Sequence, residues 1–151
     1  MALRRVSGKT KTMYFRGDTA LEVRKGGAVV LNDSGYIGVP RNDSTDRILG
    51  VAMRNDTVTD SSLVPVEVPV ELAVEWEADV DSDGGAADSD ILQAVSFDTT
   101  GGTSVNAGDS AGMRVDISDG TQEQFRITRR ISATKVVGVL VNTAWSEDFD
   151  T

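Results

Sequence analysis

Residues 64–77, V-P-V-E-V-P-V-E-L-A-V-E-W-E, decide the fold class. Val64, Val66, Val68, Val70, Leu72, Val74 and Trp76 take every even position; Pro, Glu or Ala takes every odd one. A period of two sorts side chains onto opposite faces of an extended chain, so the run predicts half-buried β-structure; a helix would scatter the same residues around its axis. Pro65 and Pro69 share a parity, so their missing N–H groups face the same neighbour, and the run reads as an edge strand short of two ladder donors. At about 3.3 Å per residue it would extend roughly 40 Å. That is too long for one straight strand of a small domain, so a bend near Pro69 or Ala73, or projection toward a partner, is expected. Trp76 closes the apolar face. Its parity puts it in the core with the valines, with a seam between subunits as the alternative.

On either side of this run, short strand-like segments alternate with turn signals. The expected strands are Ala20–Arg24, Ala28–Leu31, Tyr36–Val39, Ile48–Arg54, Leu63–Glu77, Val95–Phe97, Met113–Ile117, Gln124–Thr128 and Lys135–Val141. Between them lie K-G-G, N-D-S-G, R-N-D-T, D-S-D-G-G, T-T-G-G and S-D-G, residues that tolerate positive φ or bond to their own backbone. No window carries a helical period, although Asp88-Ser89-Asp90 has the chemistry to cap one turn through Ile91–Val95. The pattern predicts an all-β domain over residues 14–143, a small barrel or sandwich. Asp46–Ala52 and Thr134–Leu140 echo each other, each a polar turn leading into a strand with a central glycine. Glycine there marks a bulge or the close approach of another backbone.

A chain of 151 residues buries a core without staples, and it contains no Cys, so neither disulfides nor thiolate metal sites contribute. No apolar stretch approaches the length of a membrane helix, and the first residues show no secretion signal. The formal charge of −9 argues against nucleic acid as a partner, since phosphate binding needs a cationic face. A GC-rich genome or a salty habitat accounts equally for the Asp- and Arg-rich composition. The charge is uneven. Residues 1–25 are basic (Arg4, Arg5, Lys9, Lys11, Arg16, Arg24, Lys25), whereas residues 75–120 hold Arg114 against a long series of Asp and Glu. Residues 1–13 show no periodicity and read as an extended basic arm, disordered alone or ordered on a partner. Residues 144–151 read as an acidic tail, with Trp145 as a lid over an open barrel end.

The inventory of side chains argues against an enzyme. With no His and no Cys, the commonest acid–base and thiol chemistries are missing. Phosphate-cradling and nucleophile-elbow motifs do not occur, and neither do the Gly-rich motifs of dUTPase-type pyrophosphatases. Glu67, Glu71, Glu75 and Glu77 lie on the polar face of a strand, where solvation accounts for them. One constellation has a cofactor reading. Asp79-Val80-Asp81-Ser82-Asp83-Gly84 fits D-x-D-x-D-G with Asp90 twelfth, the ligand order of an EF-hand calcium loop. Its entry is a strand rather than a helix and its twelfth residue is Asp rather than Glu. An acidic hairpin loop without metal is the competing reading.

The order of segments resembles the head decoration (cement) proteins of tailed bacteriophages and related archaeal viruses. The likeness spans residues 14–143: K-G-G-A-V-V-L, I-L-G-V-A, V-P-V-E-V-P-V-E-L-A-V-E-W and I-S-A-T-K-V-V-G-V-L-V, after a basic leader. It implies a β-tulip-like domain that forms a homotrimer on the outside of a virion, made in the host cytoplasm, and reinforces contacts between major capsid proteins. It also implies a leader that adds a strand to the capsid lattice, with Arg4, Arg5, Lys9, Lys11, Tyr14 and Phe15 as capsid contacts and Pro65, Pro69 and Trp76 as edge or subunit contacts. No cofactor, no membrane and no nucleic acid belongs to this reading. The alternative is a calcium-dependent binding module of a viral tail or cell surface. A ring-forming head-completion or tail-tube protein is a third.

Overall fold

The computed structural model describes residues 3–17, 21–23, 25–32, 34–38, 47–58, 63–71, 73–80, 85–97, 114–118, 120, 123–141 and 143. Thirteen strands and no α-helix are present among them. They are β1 (Arg4–Ser7), β2 (Thr10–Phe15), β3 (Leu21–Val23), β4 (Ala28–Leu31), β5 (Ile37–Gly38), β6 (Arg47–Ala52), β7 (Asp56–Val58), β8 (Val64–Pro69), β9 (Glu75–Val80), β10 (Ala94–Phe97), β11 (Arg114–Asp116), β12 (Phe125–Ser132) and β13 (Lys135–Leu140). The fold is all-β, as the alternation predicts.

Five strands close a small barrel in the order β9-β11-β10-β12-β13, with β13 returning to β9. This settles the choice between barrel and sandwich. All its pairings are antiparallel except β11 with β9. Strand β1 adds to β9 outside the ring. A second sheet runs β2-β8-β6-β4-β5, and a bridge between Gly17 and Ile37 brings its two ends together. A short β3–β7 ribbon completes the chain.

The long alternating run does break where expected. It forms β8 and β9, separated by residues 70–74. Its even positions feed both cores: Val64, Val66 and Val68 pack with Val29, Ile37 and Leu49, and Met13 and Phe15 lean against them. Val74, Trp76, Ala78 and Val80 fill the barrel with Phe97, Phe125 and Ile127. The Phe97 and Phe125 rings sit tilted with centroids 5.9 Å apart, a favoured aromatic geometry. Trp76 is 1 % exposed, so its place is the core rather than a subunit seam.

The echo between β6 and β13 has a physical basis. A Cβ at Gly50 would strike the carbonyl oxygen of Glu67, and one at Gly138 would strike that of Arg126 and the Phe125 ring. Each glycine lets a neighbouring backbone close in. Asp88–Asp90 forms one 3₁₀ turn of its own instead of capping a turn through Ile91–Val95: Ala87 stands at the cap position, and the Asp90 carboxylate accepts the Ala87 amide at 2.7 Å. It does not continue into a helix, because residues 94–97 are claimed by β10.

Two expectations need correction. First, β8 is not an edge. Lys9 O accepts from Val70 N, so even residues of β8 face β2; Pro65 O accepts from Met53 N, so odd residues face β6. The prolines therefore do withhold donors from one neighbour, as their parity implies, but that neighbour is β6. Its ladder with β8 is only Val51↔Glu67 and Ala52↔Val66, bounded by the two prolines. Toward β2 they withhold nothing, and six consecutive residues pair. Second, residues 4–13 are not a loose arm. Arg4–Ser7 pairs with β9, Thr10–Phe15 pairs with β8 without a break at residue 13, and Leu3 is 5 % exposed with its amide bonded to Gly26 O. The acidic tail 144–151, with Trp145, lies outside the described residues, as do Ala20, Arg24, Val39 and Met113 at the ends of expected strands.

Candidate interaction site

The glutamates of the alternating run explain why the basic leader docks. Odd residues 67, 71, 75 and 77 project from the face opposite the valines, and the leader lies across them. Arg5 Nε reaches Glu67 Oε2 at 2.6 Å, the Thr10 hydroxyl donates to the same oxygen at 2.8 Å, and Lys9 N donates to Glu71 at 2.9 Å. The Ser7 hydroxyl donates to Glu75 at 3.2 Å, and Arg4 Nη2 reaches Glu77 Oε2 at 2.8 Å. These carboxylates are docking points for the leader, not merely solvated groups. Burial raises the Glu77 carboxyl pKa, but hydrogen bonds and charge from Arg4 and Lys135 outweigh that and hold it below the ordinary glutamate value. Gly8, at φ 93° with the Val74 backbone and side chain against it, makes the turn from β1 to β2; only glycine adopts that conformation at such close quarters without strain.

Among the described residues, this docking leaves one edge open. The same parity that ties Lys9 and its odd neighbours to β8 sends the amides and carbonyls of Thr10, Thr12 and Tyr14 outward. Arg16 O, of their parity, accepts from Ile37 N at 2.8 Å. Among the described residues β8 is the only strand laddered to β2. An open row of donors and acceptors is a template for pairing with another chain. Lys9, Lys11 and Arg16 are exposed along it and form no ion pair among the described residues. Thr10, Thr12 and Tyr14 share a face with Pro65 and Glu67, and Tyr14 is 60 % exposed. Met53, bonded through its sulfur by the Thr12 hydroxyl, and Leu63 add exposed apolar surface nearby.

Of the predicted contacts, then, Lys9, Lys11 and Tyr14 are presented to solvent. Arg4 and Arg5 are exposed but held in ion pairs, and Phe15 packs against the second core. Pro65 and Pro69 belong to an interior strand. For the calcium reading, Asp79 on β9 lies 3.9 Å from Lys135 Nζ, and Asp90 is occupied as the cap described above. Asp81 and Asp83 lie outside the described residues.

Sequence reasoning missed a cleft of about 530 Å³ beside β1, with Leu3, Val51, Ala52, Met53 and Trp76 along its apolar side and Arg4, Arg5, Lys25 and Glu67 along its polar side. Its components come from five separate parts of the chain, and no local pattern joins them. The Trp76 indole N–H is buried with no acceptor among the described residues.

No family model, curated protein or solved structure matches this chain.

Proposed function

We propose that the chain is a structural virion protein that binds the outer surface of a capsid as a homotrimer and stabilises the shell, a decoration protein for a major capsid protein. One observation carries the reading: among the described residues β2 is an open, cation-flanked edge strand, on a protein of net charge −9. A strand added at Thr10, Thr12 and Tyr14 would gain main-chain hydrogen bonds, and Lys9, Lys11 and Arg16 would select an acidic partner segment. An acidic remainder keeps a crowded particle surface hydrated and soluble. Several trimer–shell contacts acting together give avidity without a large area per subunit. The order of segments described above supports the same reading.

Thr12→Pro tests it. The substitution removes an N–H that points away from β8, so the β2–β8 ladder and the melting temperature are retained. Co-sedimentation with empty shells of the major capsid protein encoded beside this chain should weaken at least tenfold. Wild-type protein that ignores such shells, or a variant that binds them unchanged, refutes the proposal.

A further inference from the structure

The turn leading into β10 holds a residue in a backbone conformation that its side chain disfavours. Among the described residues Leu92 is the only non-glycine with positive φ, at 72°, a region unfavourable to a residue with a Cβ. The conformation is held from several sides. Leu92 N donates to Ile127 O at 2.7 Å, Arg126 Nη1 donates to Leu92 O at 2.8 Å, and Gln93 N donates to Asp90 O at 3.0 Å. The effect is to display apolar groups where water meets them. Leu92 is 63 % exposed, and Ile91 beside it is also exposed. Asp88 at the start of the turn has a side chain 85 % exposed and forms a long ion pair with Arg130 at 3.7 Å, which leaves its other carboxylate side to solvent.

The cleft beside β1 is the complement of this turn. Its apolar side is Leu3, Val51 and Met53, and its cations are Arg4, Arg5 and Lys25. Arg4 and Arg5 are committed to glutamates, whereas the Lys25 ammonium has no ion pair among the described residues. A volume of about 530 Å³ is ample for two aliphatic side chains. One chain cannot join the two features itself. The turn is held on β12 and the cleft opens by β1 and the start of β9; β13 separates those strands one way round the barrel, β10 and β11 the other.

We infer that the Asp88–Leu92 turn of one copy seats in this cleft of a second copy, Leu92 and Ile91 against its apolar side and Asp88 facing Lys25. A chain of charge −9 repels its copies, so association needs an acidic knob placed against one of the few cationic patches. The contact is heterologous, knob to hole, and closes into a ring when the rotation permits. It rests on the proposed reading only for the number of copies, three, and needs no capsid.

Sedimentation velocity of the full chain over a concentration series tests it. Wild type should form a closed oligomer. Leu92→Gly should weaken association at least tenfold while melting no lower than wild type, since glycine suits the positive φ. Lys25→Glu should weaken association similarly, and Lys25→Glu with Asp88→Lys should restore it to within about threefold of wild type. Unchanged association of Leu92→Gly, failure of the charge swap to rescue, or a wild type monomeric at every concentration overturns the contact. A monomer that still sediments with shells would overturn this contact and leave the capsid-binding part of the proposed function standing. An oligomer obeying these substitutions but ignoring shells would do the reverse.

Discussion

Leu3→Ala separates a docked leader from a free one. The substitution removes three carbons from a side chain that is 5 % exposed. At about 0.8 kcal/mol per buried methylene the transfer loss is about 2.4 kcal/mol. Buried Leu→Ala changes cost from about 2 to 5 kcal/mol, rising with the sealed void they leave. Leu3 lines a cleft open to solvent, so water enters the vacated space and little sealed-void cost is added. The expected loss is therefore about 2 kcal/mol. For a chain of this size that corresponds to a melting temperature lower by about 4–8 °C. Thermal and urea unfolding followed by circular dichroism measure it. A residue in a solvated arm would change stability by less than about 0.5 kcal/mol. A result in that range would refute the docking of residues 3–15 and the edge-strand argument built on it.

Gly50→Ala and Gly138→Ala should each destabilise by at least about 2 kcal/mol in urea unfolding, because the added methyl meets a neighbouring carbonyl that cannot move without breaking its ladder; wild-type midpoints would contradict the close-approach account. Trp76→Phe removes a buried donor that has no partner among the described residues, worth about 1–3 kcal/mol, while losing ring volume. The two effects offset, so stability should stay within about 1 kcal/mol, and a loss above about 3 kcal/mol would reveal an acceptor for the indole. Glu77 sets an acid response. Its folded pKa is below the roughly 4.3 of an unfolded glutamate, so its contribution is complete above that pH and is lost as pH falls through the folded value. Urea midpoints should therefore fall less steeply below about pH 4 for Glu77→Gln than for wild type; parallel curves would remove Glu77 from the account.

The alternating run made the fold class legible because burial on one face of a strand leaves a period of two. The same arithmetic located the bend before β9 and the core position of Trp76. The two strand glycines were legible too, since an unbranched gap inside an apolar strand has few other causes. The leader was not. It shows no apolar period, Thr10–Phe15 mixes polar and apolar residues, and its partners Glu67, Glu71, Glu75 and Glu77 lie some sixty to seventy positions away. An ion pair of that separation leaves no local signature, so basic residues without a period read as a tail. The prolines misled for a related reason. Parity shows that donors are missing on one side, but only topology says whether that side is solvent or a short ladder to β6. Leu92 carried no signal at all, because a positive φ at leucine is imposed by bonds from Ile127 and Arg126 across the barrel wall.

The central claim is that this molecule works by lending the outer ladder of β2 to another subunit. Amide hydrogen exchange at Thr10, Thr12 and Tyr14, measured free and bound to shells of the neighbouring major capsid protein, addresses it directly. The account predicts fast exchange in the free protein and slowing of at least tenfold at these amides on the shell. Bound protein whose three amides exchange as fast as before would contradict it.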